Sequence, residues 1–387
     1  MSAKPKLCEE SSCALAEIGS GWTEVEIGSR YKDTGLLIIG EASGEAEARE
    51  SLPFRPYAQS GSLLTDAMRE VNISRSEVAI TDILRCRPPK DWLEGSPWQW
   101  NATSHCTNNY LYKVINELNP SAILALGETA FRALVAAPKG RYGTLDYCRG
   151  YVNRGAGAAE GRKVISSYHP AYLRRGAAHL TPLLQRDLRR AFLLATGRLR
   201  ERVHFSTDIS DLGLKYLTQP TLDEAWEWAR GIDPELKLSY DCETPLSTRS
   251  DEDERVSFAD RDIKLIQFTQ RRGEGIALPW RDEYIEVAKF ILAHCPRKLG
   301  YNCWNFDDPV LAHNGVDVGP TDDAMVKFGT FWSDLPKNLQ AAAQMCGFPA
   351  SWKHLNDTNL EFYGIADVDA ALCVDDHMDK VLEGEII

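Results

Sequence analysis

Three groups of residues in this 387-residue sequence have the types and spacing to do chemistry. Asp241 and Glu243, in SYDCET at 239–244, stand two apart in a segment with strand character, so both carboxylates leave one face. Two such charges repel unless a cation is shared, which is the logic of a Mg²⁺ site. Cys8, Cys13, Cys86 and Cys106 form the second group. Thiolates are soft ligands suited to iron–sulfur clusters or zinc, and spacing alone leaves simple burial of unrelated cysteines as the alternative. The third group is SYHPAYLRR at 167–175, where His169 ends a strand pattern and Arg174 and Arg175 follow as candidate phosphate contacts.

These groups need a scaffold. Gly35–Gly40, Val78–Leu84, Ala122–Leu126 and Lys163–Ser167 are short apolar runs that predict buried strands. Amphipathic stretches at Leu63–Val71, Tyr110–Leu118, Thr129–Val135 and Pro182–Thr196 predict helices between and after them. Strands alternating with helices predict a parallel sheet covered on both faces. The polar stretch Leu199–Asp211 is the best linker, dividing the chain into domains at 1–205 and 206–387. Beyond it, Thr221–Arg230 predicts a helix, and Leu236–Tyr240, Ile263–Thr269 and Gly275–Leu278 predict strands, with helices dominating from Glu283 onward.

Charge separates the halves in the same place. Residues 1–205 carry 27 basic against 22 acidic residues, a net of +5, and the rest carry 17 against 34, a net of −17. A basic half suits phosphate tracking, whereas an acidic half needs metal ions to approach DNA. No apolar run approaches the roughly 18 residues of a membrane helix, and the N-terminus lacks a signal-peptide core, so a cytoplasmic protein with no membrane partner is expected. Ten cysteines in that compartment favour metal ligation over disulfides.

The motifs GEASGEAEA at 40–48, LPF at 52–54, ITDILRCRPP at 80–89 and SYHPAYLRR at 167–175 resemble, in order and spacing, those of family 4 uracil-DNA glycosylases. The resemblance spans about residues 5–197 and implies a three-layer α/β/α domain with a central parallel sheet. It further implies a 4Fe-4S cluster on Cys8, Cys13, Cys86 and Cys106, and a pocket for a flipped base formed by Gly40, Glu41, Ala42, Phe54 and Asp82. In that pocket Phe54 would stack on the base, His169 would stabilise charge on the leaving base, and Glu45 would orient water or steady the sugar cation.

This sequence departs from the family in five places, one of them a segment from Phe54 to Gly61 that is a little longer than usual. The first cysteine pair is C-x4-C instead of C-x2-C, Ser43 replaces a proline, and the stretch between Cys86 and Cys106 is long and rich in tryptophan. Above all, Asp82 stands where the family has an asparagine. An ionised Asp can only accept, so it would oppose uracil O4. It could accept from a cytosine amine, or bind uracil when protonated.

In the second half, SYDCET, YNCWNFDDPVL at 301–311 and YGIADVDAAL at 363–372 resemble the three motifs of DEDD exonucleases of the tyrosine type, in the form found in proofreading domains of phage family A polymerases. The resemblance covers about 213–380 and implies a ribonuclease-H-like α/β fold. It assigns two Mg²⁺ (or Mn²⁺) ions to Asp241, Glu243, Asp307 and Asp367, with Tyr363 orienting the attacking water. Asn302 and Phe306 would shape the second motif, while Asp308, Asp369, Asp375 and Asp376 read as ordinary carboxylates. The expected partner is DNA, as single strands, 3′ ends or a flipped base. A separately encoded polymerase, independent action and a fragment of a longer chain are equally compatible with these motifs. The combined expectation is a bifunctional base-excision and 3′–5′ exonuclease enzyme; the rival is a glycosylase-like half that has lost or altered its chemistry and serves as a DNA-binding module.

Overall fold

The computed structural model describes residues 13–19, 21–93, 95–199, 212–245 and 261–384. Cys8 and nearly all of the expected linker lie outside the described residues. The chain forms two compact units, Met1–Ser206 and Thr207–Ile387.

In the first unit, strands β1 (Glu26–Ile27), β2 (Leu36–Ala42), β3 (Val78–Leu84), β4 (Ala122–Leu126), β5 (Val152–Arg154) and β6 (Lys163–Ser167) form one sheet in the order β1-β3-β2-β4-β6-β5. The four central strands are parallel and the two short edge strands antiparallel. All seven residues of β3 and all five of β4 are buried, which is why their sequences show no polar alternation. Helices α1 (Glu45–Glu50), α2 (Gln59–Glu70), α3 (Gln99–Cys106), α4 (Tyr112–Leu118), α5 (Glu128–Leu134), α6 (Pro170–Arg174) and α7 (Thr181–Ala195) belong to the unit, with short helices at Ala14–Ile18, Tyr31–Thr34 and Leu145–Cys148. Leu37, Ile39, Ile123 and Ala125 pack with Ala102, Ile115 and Phe131 of α3, α4 and α5 on one face. Leu183, Leu184, Leu188 and Ala191 form the inward stripe of α7, which packs on β4 and β6. The expected α/β/α layering is present. One boundary differs: Gly35 is a left-handed helix cap at φ 70°, and the strand runs on to Ala42. Gly40, Glu41 and Ala42 therefore lie on a strand end rather than in a turn.

In the second unit, β7 (Lys215–Leu217), β8 (Leu238–Glu243), β9 (Leu265–Thr269), β10 (Glu274–Pro279), β11 (Lys298–Gly300) and β12 (Thr321–Asp323) form a sheet in the order β12-β11-β8-β9-β10-β7. The antiparallel meander β8-β9-β10 is extended by β11 and β12, both parallel to the β8 direction. That is the ribonuclease-H-like arrangement. Helices α8 (Leu222–Arg230), α9 (Asp282–His294), α10 (Asp307–His313), α11 (Ala324–Phe331), α12 (Leu339–Cys346) and α13 (Leu360–Leu382) complete it. Tyr240, Cys242, Ile266 and Phe268 face a core built with Ala225, Val287 and Ile291 of α8 and α9. By alternation Asp241 and Glu243 face the other side, where the 23-residue helix α13 packs on β8, β9 and β10. The sequence past Glu283 is not purely helical, because β11 and β12 interrupt it with three residues each.

Candidate active sites

The carboxyl ends of the parallel strands in the first unit open onto a cleft of about 1500 Å³. Asp82 on β3 pairs in the ladder with Gly40 on β2. A side chain at Gly40 would meet the Asp82 carboxyl and the Phe54 ring, so the absent Cβ is what lets those groups meet. Phe54 holds φ at +45°, a strained value for an aromatic residue. Its ring lies 5.6 Å from that of His169, tilted by 42°.

His169 is the N-cap of α6, and its Nδ1 accepts from the Ala171 N–H at 3.2 Å. That bond assigns the proton of the neutral ring to Nε2, which is enclosed and has no protein partner. Burial and, secondarily, Arg175 lower its pKa to about 4, so the imidazole is a neutral donor near pH 7. Asp82 is 2% exposed, and its Oδ1 also lacks a partner. Burial, then the charges of Glu47 and Glu41, push its pKa well above the carboxylate range. Two unsatisfied polar atoms beside one aromatic face define a seat for a planar polar ligand.

Of the other expected residues, Glu41 accepts from Thr129 Oγ1 at 2.6 Å. Glu45 stands on the exposed rim, paired with Arg49 at 3.4 Å and Arg87 at 3.5 Å. Arg174 and Arg175 line the cleft from the end of α6. Glu47, 8% exposed and felt by Asp82, is a pocket residue that the sequence reading missed. Its position within an alternating Glu/Ala run carries no mark of burial.

Cys13, Cys86 and Cys106 are all buried and belong to one core cluster. Cys106 ends α3, and a π-helical turn at Thr107–Leu111 follows directly. Such turns widen the backbone where a side chain has been re-aimed. Buried thiols are the soft ligands that a thiolate-ligated centre needs, and the same core also holds Cys148.

In the second unit, carboxylate oxygens of Asp241, Glu243 and Asp367 lie within 4.8 Å of one another. Burial and the charge of Asp307 push Asp241 well up, and burial with Asp367 raises Glu243 to about 7. Asp307, the first residue of α10, stands beside this trio: its Oδ1 accepts the Cys242 N–H at 2.8 Å, and burial raises its pKa to about 8. Tyr363 and Asp367 lie one turn apart on α13, as their spacing requires. Lys353, which nothing in the sequence singled out, fills the centre. Its ammonium donates to Tyr363 Oη at 2.9 Å and to both Asp367 oxygens at 2.8 and 2.9 Å. The fully buried Trp352 donates its indole N–H to the same carboxylate. A cation thus sits among the carboxylates, and their chemistry fits a divalent ion.

Three neighbouring acids are held in other contacts. Asp308 accepts from Tyr240 Oη and from Thr321 Oγ1 at 2.7 Å. Asp369 accepts from Tyr216, Arg272 and the Gly273 N–H at 2.6 to 2.9 Å, and Asp375 pairs with Lys237 and Lys327. Asn302 holds φ at +61° while its N–H donates to Asp323.

The first unit is thus an α/β/α fold with a polar, aromatic-floored cleft at the ends of its strands. Residues 29–193 match the Uracil DNA glycosylase superfamily, and through them the chain belongs to that family. The type-4 uracil-DNA glycosylase of Thermotoga maritima is 32% identical over 180 residues, covering 46% of this chain and 87% of that protein. The type-4 enzyme of Pyrobaculum aerophilum is also 32% identical, over 40% of this chain and 74% of its own length. Among solved structures, the EXO domain of Aedes aegypti Nibbler overlaps 49% of this chain and 94% of its own at 11% identity and a TM-score of 0.34. Escherichia coli RNase D overlaps 44% and 45% at 15% identity and 0.28. At those scores the fold of the second unit rests on its own strand order.

Proposed function

We propose that this chain is a DNA-processing hydrolase with two centres, a base-excising cleft in the first unit and a divalent-metal 3′–5′ exonuclease in the second. The convergence of Phe54, Asp82 and the neutral His169 on one seat carries the first assignment. An extruded base would stack on Phe54 and present its edge to Asp82. The Nε2–H of His169 would donate to the oxygen that gains charge as the glycosidic bond breaks. Glu41 and Glu45, inside and on the rim, are the carboxylates available to steady a sugar cation or orient water. Cys13, Cys86 and Cys106, with Cys8, would hold a 4Fe-4S cluster whose contribution is to pin these segments together. Anaerobically purified protein should absorb near ~400 nm, and a colourless zinc protein would refute the cluster.

In the second unit Asp241, Glu243 and Asp367, with Asp307 beside them, would hold divalent ions, which supply an activated water and charge stabilisation for phosphodiester cleavage. Tyr363 Oη is placed to orient that water. Trp352 fixes the Asp367 carboxylate. The buried acid at Asp82 favours a second reading, in which the base preference has changed or been lost and the first unit delivers DNA to the nuclease.

Oligonucleotides carrying uracil, cytosine or hypoxanthine, assayed for alkali-labile sites, decide between them. Abasic product on one of these supports excision. None on any base, with Mg²⁺-dependent digestion intact, leaves the binding-module reading. Digestion that survives Asp241→Ala would sink the nuclease assignment.

A further inference from the structure

The cleft of the first unit opens at a mouth that its floor does not explain. Tyr57, Trp92, Trp100 and Tyr172 line it and are 62%, 63%, 71% and 49% exposed. Large aromatic side chains left in water are uncommon, and several around one opening mark a surface that is covered in use. Neither indole is adrift. Leu93, next to Trp92, is buried in the core; Trp98 packs on that core, and Ala102 is buried two residues beyond Trp100. Inward anchors alternating with outward rings hold the backbone of both tryptophans at the rim.

The charges around the mouth select the kind of partner. Glu45 is matched by Arg49 and Arg87, Asp91 by Arg87, and Glu128 by Arg132, while Asp146 accepts from the Tyr168 hydroxyl. Arg174 and Arg175 line the same cleft, are exposed, and form no ion pair with a described carboxylate. Aromatic faces beside unmatched guanidiniums provide what a nucleic-acid strand needs, stacking for its bases and neutralisation for its phosphates. Bases within a duplex already stack on both faces and have none to offer, so the strand at these rings is unpaired.

We propose that Trp92 and Trp100, with Tyr172 and the Arg174–Arg175 pair, form a platform that stacks the unpaired nucleotides flanking the one whose base enters the cleft. The platform takes its orientation from the base-excision reading, but stacking requires no excision.

The test is photo-cross-linking of the full chain, in EDTA, to a single-stranded oligonucleotide with 5-iodouracil on either side of one uracil. Adducts should map by mass spectrometry to Trp92 or Trp100 and disappear in W92A/W100A that melts like the parent. The affinity of that variant for the strand should fall about tenfold with the salt dependence unchanged, whereas R174A/R175A should flatten the salt dependence. Adducts that map only elsewhere, or a W92A/W100A variant that cross-links like the parent, would overturn the platform. Adducts on the tryptophans with no abasic product from any base would leave the platform standing and remove the excision reading instead.

Discussion

A methyl group added at Gly40 would come 2.5 Å from the Asp82 carboxyl and from the Phe54 ring, so these buried groups would be pushed from their places. Gly40→Ala should therefore cost about 1–3 kcal/mol of stability while base excision falls about 100-fold, because the displaced groups are those that seat the base. Unfolding in urea and single-turnover excision check the two halves; loss of both together would mean that the residue only supports the fold. Lys353 invites the opposite outcome. Its ammonium occupies the Asp367 carboxylate that a divalent ion needs. Lys353→Met should bind Mn²⁺ at least about threefold tighter than the parent, and Lys353→Arg should not. Equal or weaker binding in folded Lys353→Met would make the lysine a support for Asp367 and nothing more.

At the scale of elements, the end of β6 and the start of α6 are held from α7. Asp187, fully buried, accepts from Ser167 Oγ at 2.7 Å and from the buried Arg149 guanidinium at 2.8 Å. Asp187→Ala takes that carboxylate from a buried cation and should cost about 3–5 kcal/mol in chemical unfolding. The helix start itself is sensitive to acid. The folded pKa of His169, about 4, lies below the ordinary value of 6.5, so the folded state binds the proton less readily. Its contribution is intact above pH 6.5 and is lost as pH falls toward 4, by up to about 3 kcal/mol. Unfolding free energies at pH 7 and 4.5 should differ less in His169→Gln than in the parent. An equal difference in both would place the acid sensitivity elsewhere.

For the whole molecule, the net of −17 in residues 206–387 is not spread evenly over a surface. Asp241, Glu243, Asp307 and Asp367 gather at one centre, and Asp369 and Asp375 anchor α13. Glu243, raised to about 7, binds a proton more readily folded than unfolded. Its contribution is present below about pH 4.5 and lost as pH rises through 7, when the gathered charges repel. Mg²⁺ replaces those protons, so it should raise the melting temperature more at pH 8 than at pH 5.5, by about 2.7 kcal/mol of stability at a hundredfold excess over Kd. The same increase at both pH values would show that the ion does not bind these carboxylates.

The long elements were legible from residue types alone, because β3 and β4 are unbroken buried runs, β6 is buried after its first residue, and α7 and α8 carry clear apolar stripes or caps. The sequence also set the pairs that local geometry governs: Asp241 with Glu243 by strand alternation, Tyr363 with Asp367 by one helical turn. The strands β11 and β12 were not legible, since three residues hold no period. The state of the groups follows from the packing around them. The Asp82 carboxyl is pushed well above the carboxylate range because the fold buries it and because α1 brings Glu47 and β2 brings Glu41 near it. Asp307 is turned to the Cys242 amide, 65 residues away in sequence, and Lys353 reaches Asp367 from a turn outside every motif. Burial and charge depend on what the chain folds back against a residue, and spacing along the chain does not encode that.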